Sequence, residues 1–174
     1  MQTTRREDIP FAAMLVRRAL IADSEPIRRI YNAEVTASTA TLDLVARSTI
    51  DQVAWMADHS GVYPVLVAEQ EGELVGFSSL SPYRSRPGYA TVVEDSVYVL
   101  GTHRGKGIGH ALLSAALDTA RSHGFHSVIG RVITEQEASI ALHKSCGFEI
   151  VGVEKEVGRK FGRFLDVALL QRML

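Results

Sequence analysis

Three closely spaced glycines and two basic residues make up the part of the chain best suited to bind an anionic ligand. The glycines are Gly105, Gly107 and Gly109, and the basic residues are Arg104 and Lys106. A β-rich run precedes them and an apolar helical pattern follows them. Glycine lets the backbone come close to a ligand, and the first turn of a helix offers unpaired N–H groups and the positive end of the helix dipole. The spacing therefore predicts a phosphate-binding loop between a strand and a helix.

Two common nucleotide-binding motifs do not fit these glycines. A Walker loop needs four residues between its first glycine and the Gly-Lys pair, but only three follow Gly101 before that pair. A dinucleotide-binding fingerprint that began at Gly107 would need a glycine where the chain has Leu112, and no βαβ unit leads into it. What remains is the run RGKGIG, from Arg104 to Gly109.

The composition is that of a single domain of ordinary size. The chain has 174 residues, of which 46% are hydrophobic, and such a chain can bury a core without cross-links. Its 19 basic and 20 acidic residues give a formal net charge of -1, which argues against a nucleic acid or an anionic membrane as the main partner. Cys146 is the only cysteine, and the apolar run over residues 11–22 is interrupted by Arg17 and Arg18. The sequence therefore predicts a cytoplasmic protein without an intrachain disulfide, a signal peptide or a membrane span.

The order of the predicted elements is that of an α/β domain with a mixed sheet. Residues 1–13 show no clear periodicity and are predicted to be an extension, so the domain is expected to cover residues 14–174. Residues 34–47 are predicted to be a long loop and residues 158–163 a turn. Strands are predicted over residues 14–20, 64–70, 74–80, 90–100, 127–133, 148–157 and 164–170, and helices are predicted to begin near Ser24, Ser48, Gly107 and Gln136.

Five more motifs accompany the glycine loop in chain order. They are IYN (30–32), YPVLVA (63–68), VEDSVYV (93–99), ASIALH (138–143) and GRKFGR (158–163). The RGKGIG run itself matches the R/Q-x-x-G-x-G/A pyrophosphate loop of the GCN5-related N-acetyltransferase (GNAT) superfamily. Taken together over residues 15–174, the motifs resemble the phosphinothricin/methionine sulfone N-acetyltransferase family within that superfamily. Several separated motifs that agree in order are more specific than one glycine loop.

The resemblance implies a GNAT fold, in which a mixed, mostly antiparallel sheet of about seven strands is flanked by about four helices. It implies acetyl-CoA as the donor and a small α-amino acid, such as phosphinothricin, methionine sulfone or methionine sulfoximine, as the acceptor. It further implies a homodimer and a role in resistance to phosphinothricin herbicides.

Acyl transfer from a thioester to an amine needs a base for the proton of the amine and an acid for the departing thiolate. An α-amino group has a pKa of about 8, so a nearby base can take its proton at neutral pH, directly or through one water. The resemblance gives this role to Glu94, at the start of the strand that leads to the glycine loop; the alternative is a solvated glutamate at a strand edge. His143 is the candidate acid, because the family has histidine where many GNAT enzymes have tyrosine. Its alternative is a helix-face histidine stabilised by the helix dipole.

The rest of the donor site also follows from the resemblance. The strand residues of VYV are expected to contact the pantetheine arm through main-chain groups. The family usually has asparagine where this chain has Gln136, so we expect that contact to be shifted or bridged by water. Cys146 is expected to be a buried structural residue and not an acyl carrier. The expected CoA-binding residues are Val97, Tyr98, Val99, Arg104, Gly105, Lys106, Gly107, Ile108, Gly109, His110, Gln136 and Ser145.

An acceptor with a carboxylate and a second anionic or sulfone-like head favours arginine, because a guanidinium binds planar oxyanions through two parallel hydrogen bonds. Arg84 and Arg86, in the loop before the strand of Glu94, are the predicted acceptor-binding arginines, and Tyr83 and Tyr89 are predicted to line the same slot. The alternative is a loop that only faces solvent. The histidines show no compact ligand spacing, so no metal is predicted.

Two other functions remain open from the sequence. In one, the enzyme acetylates another amine, such as a peptide N-terminus or a polyamine. In the other, the chain is a non-catalytic acyl-CoA-binding module, which would bind CoA but release no thiol with any amine. The arginines of the loop favour an anionic acceptor, and an acceptor panel distinguishes these cases.

Overall fold

A mixed seven-stranded sheet is the frame of the molecule. The computed structural model describes residues 14–174, and the expected extension over residues 1–13 lies outside the described residues. The strands are β1 (Met14–Arg18), β2 (Val65–Gln70), β3 (Glu73–Pro82), β4 (Val92–Val99), β5 (Ser127–Ile133), β6 (Glu149–Lys160) and β7 (Arg163–Met173). The helices are α1 (Ser24–Ala37), α2 (Thr49–Asp58), α3 (Ile108–Ser122) and α4 (Glu137–Ser145). The predicted α/β fold is confirmed.

The strands lie in the order β1-β2-β3-β4-β5-β7-β6. All neighbouring pairs are antiparallel except β4 and β5, which are parallel and pair only over residues 92–94 and 127–129. Beyond this point β4 stays paired with β3, and β5 stays paired with β7. A gap therefore opens between residues 95–99 and residues 130–133, where main-chain groups of β4 are free to pair with an extended ligand.

Side chains of β4 alternate between the two faces of the sheet. Val93 packs with Leu112 and other apolar residues of α3. Tyr98 packs on the other face, edge-on to Tyr31 of α1 and stacked on Phe77 of β3, with ring centroids 5.2 Å apart in both contacts. Even-numbered residues of β4 therefore face α1 and α2, and odd-numbered residues face α3 and α4.

The second helix begins as the sequence predicts, whereas the first ends later. Ser48 accepts a hydrogen bond from the amide of Asp51 at 3.1 Å, and the Asp51 carboxylate accepts one from the amide of Ser48 at 3.0 Å, which is a capping box. Helix α1 continues to Ala37, so the prediction of a loop from residue 34 is wrong for its first four positions. The reason is Val35, which is 2% exposed and extends the buried stripe of α1 by one turn.

The predicted turn over residues 158–163 is also too long. Strand β6 continues to Lys160, and only Phe161 and Gly162 form the turn, with φ values of 50° and 78°. The glycine and basic residues at positions 158–160 are typical of a turn. They belong instead to an edge strand, which carries such polar residues because most of it is exposed. Lys160 itself is buried and donates from Nζ to the carbonyl oxygen of Thr41 at 2.8 Å.

The loop over residues 38–47 is held firmly although it has no regular structure. The guanidinium of Arg47 lies 3.8 Å from the ring centroid of Tyr31 and 4.5 Å from that of Trp55. The hydroxyl of Tyr31 lies 3.0 Å from Oγ1 of Thr41 and donates to Asp43 at 2.5 Å. Stacking and hydrogen bonding therefore fix the loop beside the gap in the sheet.

Candidate active site

A cavity of about 430 Å³, here called the α3 cavity, lies at the gap between β4 and β5, against α3 and α4. It contains most of the residues predicted from the sequence to bind CoA. Lys106 is the exception, because its side chain is exposed and does not line this cavity. The predicted residues that line it are Val97, Tyr98, Val99, Arg104, Gly105, Gly107, Ile108, Gly109, His110, Gln136, His143 and Ser145.

The glycine loop turns directly into α3. Gly105 and Gly107 have φ values of 74° and 80°, a left-handed conformation that favours glycine. Gly107 caps the helix, so the free N–H groups of the first turn point at the cavity. Gly109 allows α3 to pack closely against α4, because a Cβ atom there would lie 3.1 Å from Cδ2 of Leu142. The loop thus has the geometry of an anion site at a helix N-terminus.

Arg104 links this loop to α1. Its guanidinium pairs with the carboxylate of Glu34, and its Nε donates to the carbonyl oxygen of Val99 at 3.2 Å. Both Arg104 and Glu34 line the α3 cavity. The cavity wall at the loop therefore carries one arginine whose charge is partly balanced by a carboxylate.

Gln136 closes the same cavity from the start of α4. Its Nε2 donates to Oγ1 of Thr39 at 2.9 Å, which connects α4 to the loop over residues 38–47. Ser145, at the other end of α4, donates from Oγ to the carbonyl oxygen of Leu142 at 2.7 Å.

His143 forms a buried pair with Asp95. Its Nε2 lies 3.1 Å from Oδ2 of Asp95, and its Nδ1 lies 2.7 Å from the carbonyl oxygen of Ser139; the side chains are 4% and 1% exposed. Both ring nitrogens thus face acceptors, which only an imidazolium can satisfy by donating twice. Burial alone would lower the pKa of His143, but the Asp95 carboxylate and the Ser139 carbonyl outweigh it and raise that pKa above its usual value.

The packing around this pair is tight, and it leaves one oxygen of Asp95 without a partner among the described residues. A Cβ atom at Gly130 would lie 2.8 Å from Cδ2 and 3.0 Å from Nε2 of His143, so β5 approaches the ring closely. Oδ1 of Asp95 is buried and has no hydrogen-bond partner among the described residues, although Asp95 lines the cavity. The close packing therefore holds the ring of His143 in place, and one carboxylate oxygen of Asp95 is buried beside it without a partner among the described residues.

A second cavity of about 310 Å³, here called the α1 cavity, lies on the opposite face of the sheet, beside α1 and the loop over residues 38–47. Its walls include Tyr31, Thr41, Glu94 and Arg131. The two cavities adjoin through the gap between β4 and β5. The residues common to both are Ala40, Asp95, Ser96, Tyr98, Arg131 and Ile133.

Glu94 is half-buried in the wall of the α1 cavity. Burial raises the pKa of Glu94 above its usual value, the positive charge of Arg131 opposes that rise, and the negative charges of Asp95 and Glu154 add to it. A carboxylate with a raised pKa is a better proton acceptor than a solvated one. The structure therefore puts a carboxylate with a raised pKa in one cavity and a histidine with a raised pKa in the adjoining one.

Arg131 pairs with Glu154 of β6, from Nη2 to Oε2 at 2.6 Å, and both side chains are 33% exposed. Since Glu94 lies opposite Ile129 in the β4–β5 register, Arg131 is two residues farther along the same face of the sheet. One cation thus lies near Glu94 in the α1 cavity.

The predicted acceptor-binding residues Tyr83, Arg84, Arg86 and Tyr89 line neither of these two cavities. The guanidinium of Arg84 lies 5.0 Å from the ring centroid of Tyr83 and 5.6 Å from that of Tyr89. Arg84, Arg86 and Tyr89 are exposed, and Tyr83 is half-buried. These four residues therefore lie in one loop outside the walls of both cavities. The loop follows β3, whose Ser81 and Pro82 lie opposite Glu94 and Val93, and its role at the acceptor stays a prediction.

Sequence reasoning missed Asp95 and Arg131. Arg131 interrupts an otherwise apolar strand, SVIGRVI, and such a charge in a buried strand is a usable signal for a site. Asp95 follows Glu94 directly, so alternation alone predicts that the two carboxylates face opposite sides of the sheet. Its pairing with His143 depends on how α4 packs over β4, which the sequence does not show.

Residues 14–174 contain no group of three or more histidine, cysteine, aspartate or glutamate side chains positioned to hold a metal ion. None of the helices in this part of the chain has the length and hydrophobicity needed to span a membrane.

Comparison with known proteins agrees with this architecture. Residues 25–148 match the model of the acetyltransferase (GNAT) family. The chain is 39% identical to the L-methionine sulfoximine/L-methionine sulfone acetyltransferase of Salmonella typhimurium, over 92% of this chain and 95% of that protein. It is 36% identical to the phosphinothricin N-acetyltransferase of Streptomyces coelicolor, over 94% of this chain and 98% of that protein.

A solved structure extends the comparison to three dimensions. The GNAT superfamily phosphinothricin acetyltransferase of Sinorhizobium meliloti, in complex with acetyl-CoA, superimposes with a TM-score of 0.88 at 37% identity, over 92% of this chain and 88% of that one. The sequence motifs, the split between β4 and β5, the glycine loop before α3 and these relatives all agree: the chain belongs to the acetyltransferase (GNAT) family.

Proposed function

We propose that the protein is an acetyl-CoA-dependent N-acetyltransferase that acts on the α-amino group of a small amino acid such as phosphinothricin, methionine sulfone or methionine sulfoximine. The observation that carries the proposal is the position of Glu94, a half-buried carboxylate in the α1 cavity at its junction with the α3 cavity. Two substrates that enter from opposite faces of the sheet would meet beside this base. The names of the relatives support the same donor and acceptor class.

The α3 cavity fits the donor. The free N–H groups of α3, the left-handed glycines Gly105 and Gly107, and the side chain of Arg104 suit a pyrophosphate. The gap beside Val97 and Val99 suits a pantetheine arm, because the main chain of β4 is unpaired on that side. Acetyl-CoA would supply the thioester, and the unpaired main-chain groups of β4 would hold its pantetheine arm.

Transfer is direct in this proposal. Glu94 takes a proton from the acceptor ammonium, and the freed amine bonds to the acetyl carbon. The carbon–sulfur bond then breaks to release CoA thiolate, and the nitrogen loses its second proton to water to give the neutral amide. N–H groups of β4 stabilise the oxyanion that forms between these steps. Cys146 is 6% exposed and lines neither cavity, which supports direct transfer over an acyl-cysteine route.

His143 is the proposed source of the proton for the thiolate. It lines the α3 cavity, and its raised pKa favours the protonated form that an acid needs. Because its Nε2 proton is engaged by Asp95, donation requires that this contact be exchanged for one to sulfur or to a bridging water.

A homodimer is part of the proposal. The exposed side of β6 carries apolar residues at the sheet edge, and such a row is unusual on the surface of a monomer. Val151 is 56% exposed, Val153 is 44% exposed and Phe164, on the neighbouring strand, is 62% exposed. A second copy of the chain would cover this edge and remove it from water.

We also propose a cytoplasmic enzyme without a nucleic-acid or membrane partner, on the basis of its near-zero net charge and its single cysteine. In that compartment, acetylation of phosphinothricin would convert its α-ammonium into a neutral amide and so confer resistance to the herbicide.

The test is a thiol-release assay with acetyl-CoA and a panel of acceptors. The panel contains methionine sulfone, methionine sulfoximine, phosphinothricin, a peptide with a free N-terminus and a polyamine. We expect thiol release with the amino acids and a kcat/KM at least about tenfold lower with the peptide and the polyamine. Release with the polyamine or the peptide alone would overturn the acceptor class, and release with none of them would overturn the enzymatic function.

A further inference from the structure

An α-amino acid presents its carboxylate one carbon away from its ammonium. A site that brings the ammonium to Glu94 must therefore satisfy a carboxylate inside the same small cavity, because an unpaired charge there is costly. Among the described residues that line the α1 cavity, Arg131 is the one cation.

The sheet directs Arg131 towards the same space as Glu94. In the parallel register Glu94 lies opposite Ile129, and Arg131 follows Ile129 by two residues on the same face. Two strand residues span about 7 Å, which suits a ligand whose ammonium and carboxylate are adjacent. Beyond residue 129 the two strands are no longer paired, so the side chain of Arg131 borders open space on the side of β4.

The guanidinium keeps donors available for a ligand. Its one hydrogen bond within residues 14–174 runs from Nη2 to Glu154 at 2.6 Å, so Nε and Nη1 have no partner there. Glu154 is one-third exposed and lies on the neighbouring edge strand. It holds the guanidinium by one N–H group of Nη2 and leaves another edge of the fork for a carboxylate, which arginine binds through two parallel hydrogen bonds.

We propose that Arg131 is the anchor for the α-carboxylate of the acceptor and thereby selects α-amino acids over simple amines. This inference rests on the proposed function. The acceptor is then recognised in two places. Arg131 holds its α-carboxylate beside Glu94, and the loop of Arg84 and Arg86 is available for the sulfone or phosphinate group at the end of its side chain. The ammonium and the carboxylate of one ligand are then paired with Glu94 and Arg131 respectively.

The test compares two acceptors that differ only in the carboxylate. Methionine sulfone is the amino acid, and 3-(methylsulfonyl)propylamine is the same molecule without the carboxylate. With the wild-type enzyme we expect a strong preference for the amino acid. With Arg131→Ala we expect kcat/KM for methionine sulfone to fall by about 30- to 100-fold, as for the loss of a charge-assisted contact, and kcat/KM for the amine to change by less than about threefold.

Companion variants separate this role from a structural one. Arg131→Gln keeps a polar, though shorter, side chain without the charge and should behave like Arg131→Ala, whereas Arg131→Lys should restore part of the preference. The KM for acetyl-CoA should change less than the KM for methionine sulfone in all three. Arg131 borders both cavities, but the proposed pyrophosphate site at the glycine loop is unaltered in these variants. Arg121→Gln removes the same charge from the exposed face of α3 and should keep the wild-type preference.

The outcomes are distinct. An equal loss of activity with both acceptors, or an unchanged preference for the amino acid, would overturn the anchor while amino-acid acetylation by the wild type still supports the proposed function. A wild-type enzyme that acetylates amines but no amino acid would overturn the proposed acceptor class, and the anchor with it.

Discussion

At the scale of single residues, the site is built on two carboxylates that follow each other in β4 and face opposite sides of the sheet. Burial and the negative charges of neighbouring carboxylates raise the pKa of Glu94, whereas Asp95 pairs with His143. The two residues therefore serve different chemistry although they are adjacent in sequence. A strand makes this possible, because its side chains alternate.

The charge of Glu154 should affect the pKa of Glu94, the proposed base. The charged groups around Glu94 are Arg131 on β5, Asp95 on its own strand and Glu154 on β6. In Glu154→Gln the negative charge that raises the pKa of Glu94 is lost and Arg131 loses its counterion, and both changes lower that pKa. We expect the acidic limb of the kcat–pH profile to shift to lower pH by about half a unit.

The control for this shift is Glu149→Gln, which removes the same charge from the other end of the same strand. Its profile should match that of the wild type. A shift of the Glu154→Gln profile to higher pH would contradict the assignment of this limb to Glu94.

The Asp95–His143 pair should contribute to stability in a pH-dependent way. Because the pKa of His143 is raised in the folded state, its stabilising effect is complete below the pKa of an unfolded histidine, about 6.5, and fades as pH rises through the raised value. Asp95→Asn should therefore lower the free energy of unfolding by about 2 kcal/mol at pH 6 and by clearly less at pH 9.

Urea denaturation at the two pH values measures this difference. Asp118→Asn is the matched control, since Asp118 pairs with Arg121 on the exposed face of α3 and is 78% exposed. A cost for Asp95→Asn that is equal at both pH values would count against an imidazolium in the folded protein.

At the scale of elements, most of the wall of the α3 cavity was predictable from the sequence, and the wall of the α1 cavity was not. The glycine loop and VEDSVYV lie within one strand–loop–helix unit, so a local motif predicts most of the wall of the α3 cavity. The α1 cavity draws on α1, the loop over residues 38–47, β4, β5 and β7, which are distant in sequence. Arg131 therefore belongs to no local motif, and the sequence pattern did not single it out; the role of Arg84 and Arg86 at the acceptor stays a prediction.

The ends of helices and strands were predictable where the local sequence determines them and not where tertiary contacts do. Strand β5 was predicted over its observed length, because it is a buried apolar run flanked by clear breaks. Helix α1 and strand β6 both extend beyond their predicted ends, since one buried valine in α1 and one buried lysine in β6 decide their lengths. Such contacts belong to tertiary structure and leave little trace in the local pattern.

The left-handed conformation of the glycine loop gives a prediction at this scale. Gly107→Ala forces a Cβ atom into a φ of 80°, which should lower the free energy of unfolding by about 1 kcal/mol. It should also raise the Kd for acetyl-CoA by about tenfold, because the loop must shift. Thermal denaturation and calorimetric titration measure the two effects.

Gly101→Ala is the control, since this glycine lies outside the left-handed region and has open space around its Cα. We expect wild-type stability and affinity from it. If Gly107→Ala bound acetyl-CoA as tightly as the wild type, the loop would not be the pyrophosphate site.

At the scale of the whole molecule, the sheet carries its chemistry at the centre and its exposed apolar residues at one edge. If β6 forms the proposed dimer interface, a charge at its centre should separate the subunits. Val151→Lys should convert a dimer of about 38 kDa into a monomer of 19.0 kDa in size-exclusion chromatography with light scattering. Val62→Lys, at an exposed valine just before β2 near the other edge, should leave the dimer intact, and a wild-type monomer would contradict the interface.

The central claim is that Glu94 is the base of an acetyl-CoA-dependent N-acetyltransferase, and one variant tests it most directly. Glu94→Gln keeps the shape of the side chain and removes its basicity. The measurement is kcat with methionine sulfone beside the Kd for acetyl-CoA in the same preparation. We predict that kcat falls by about 100-fold or more while the Kd stays within about twofold. A kcat near that of the wild type, with binding intact, would contradict the account.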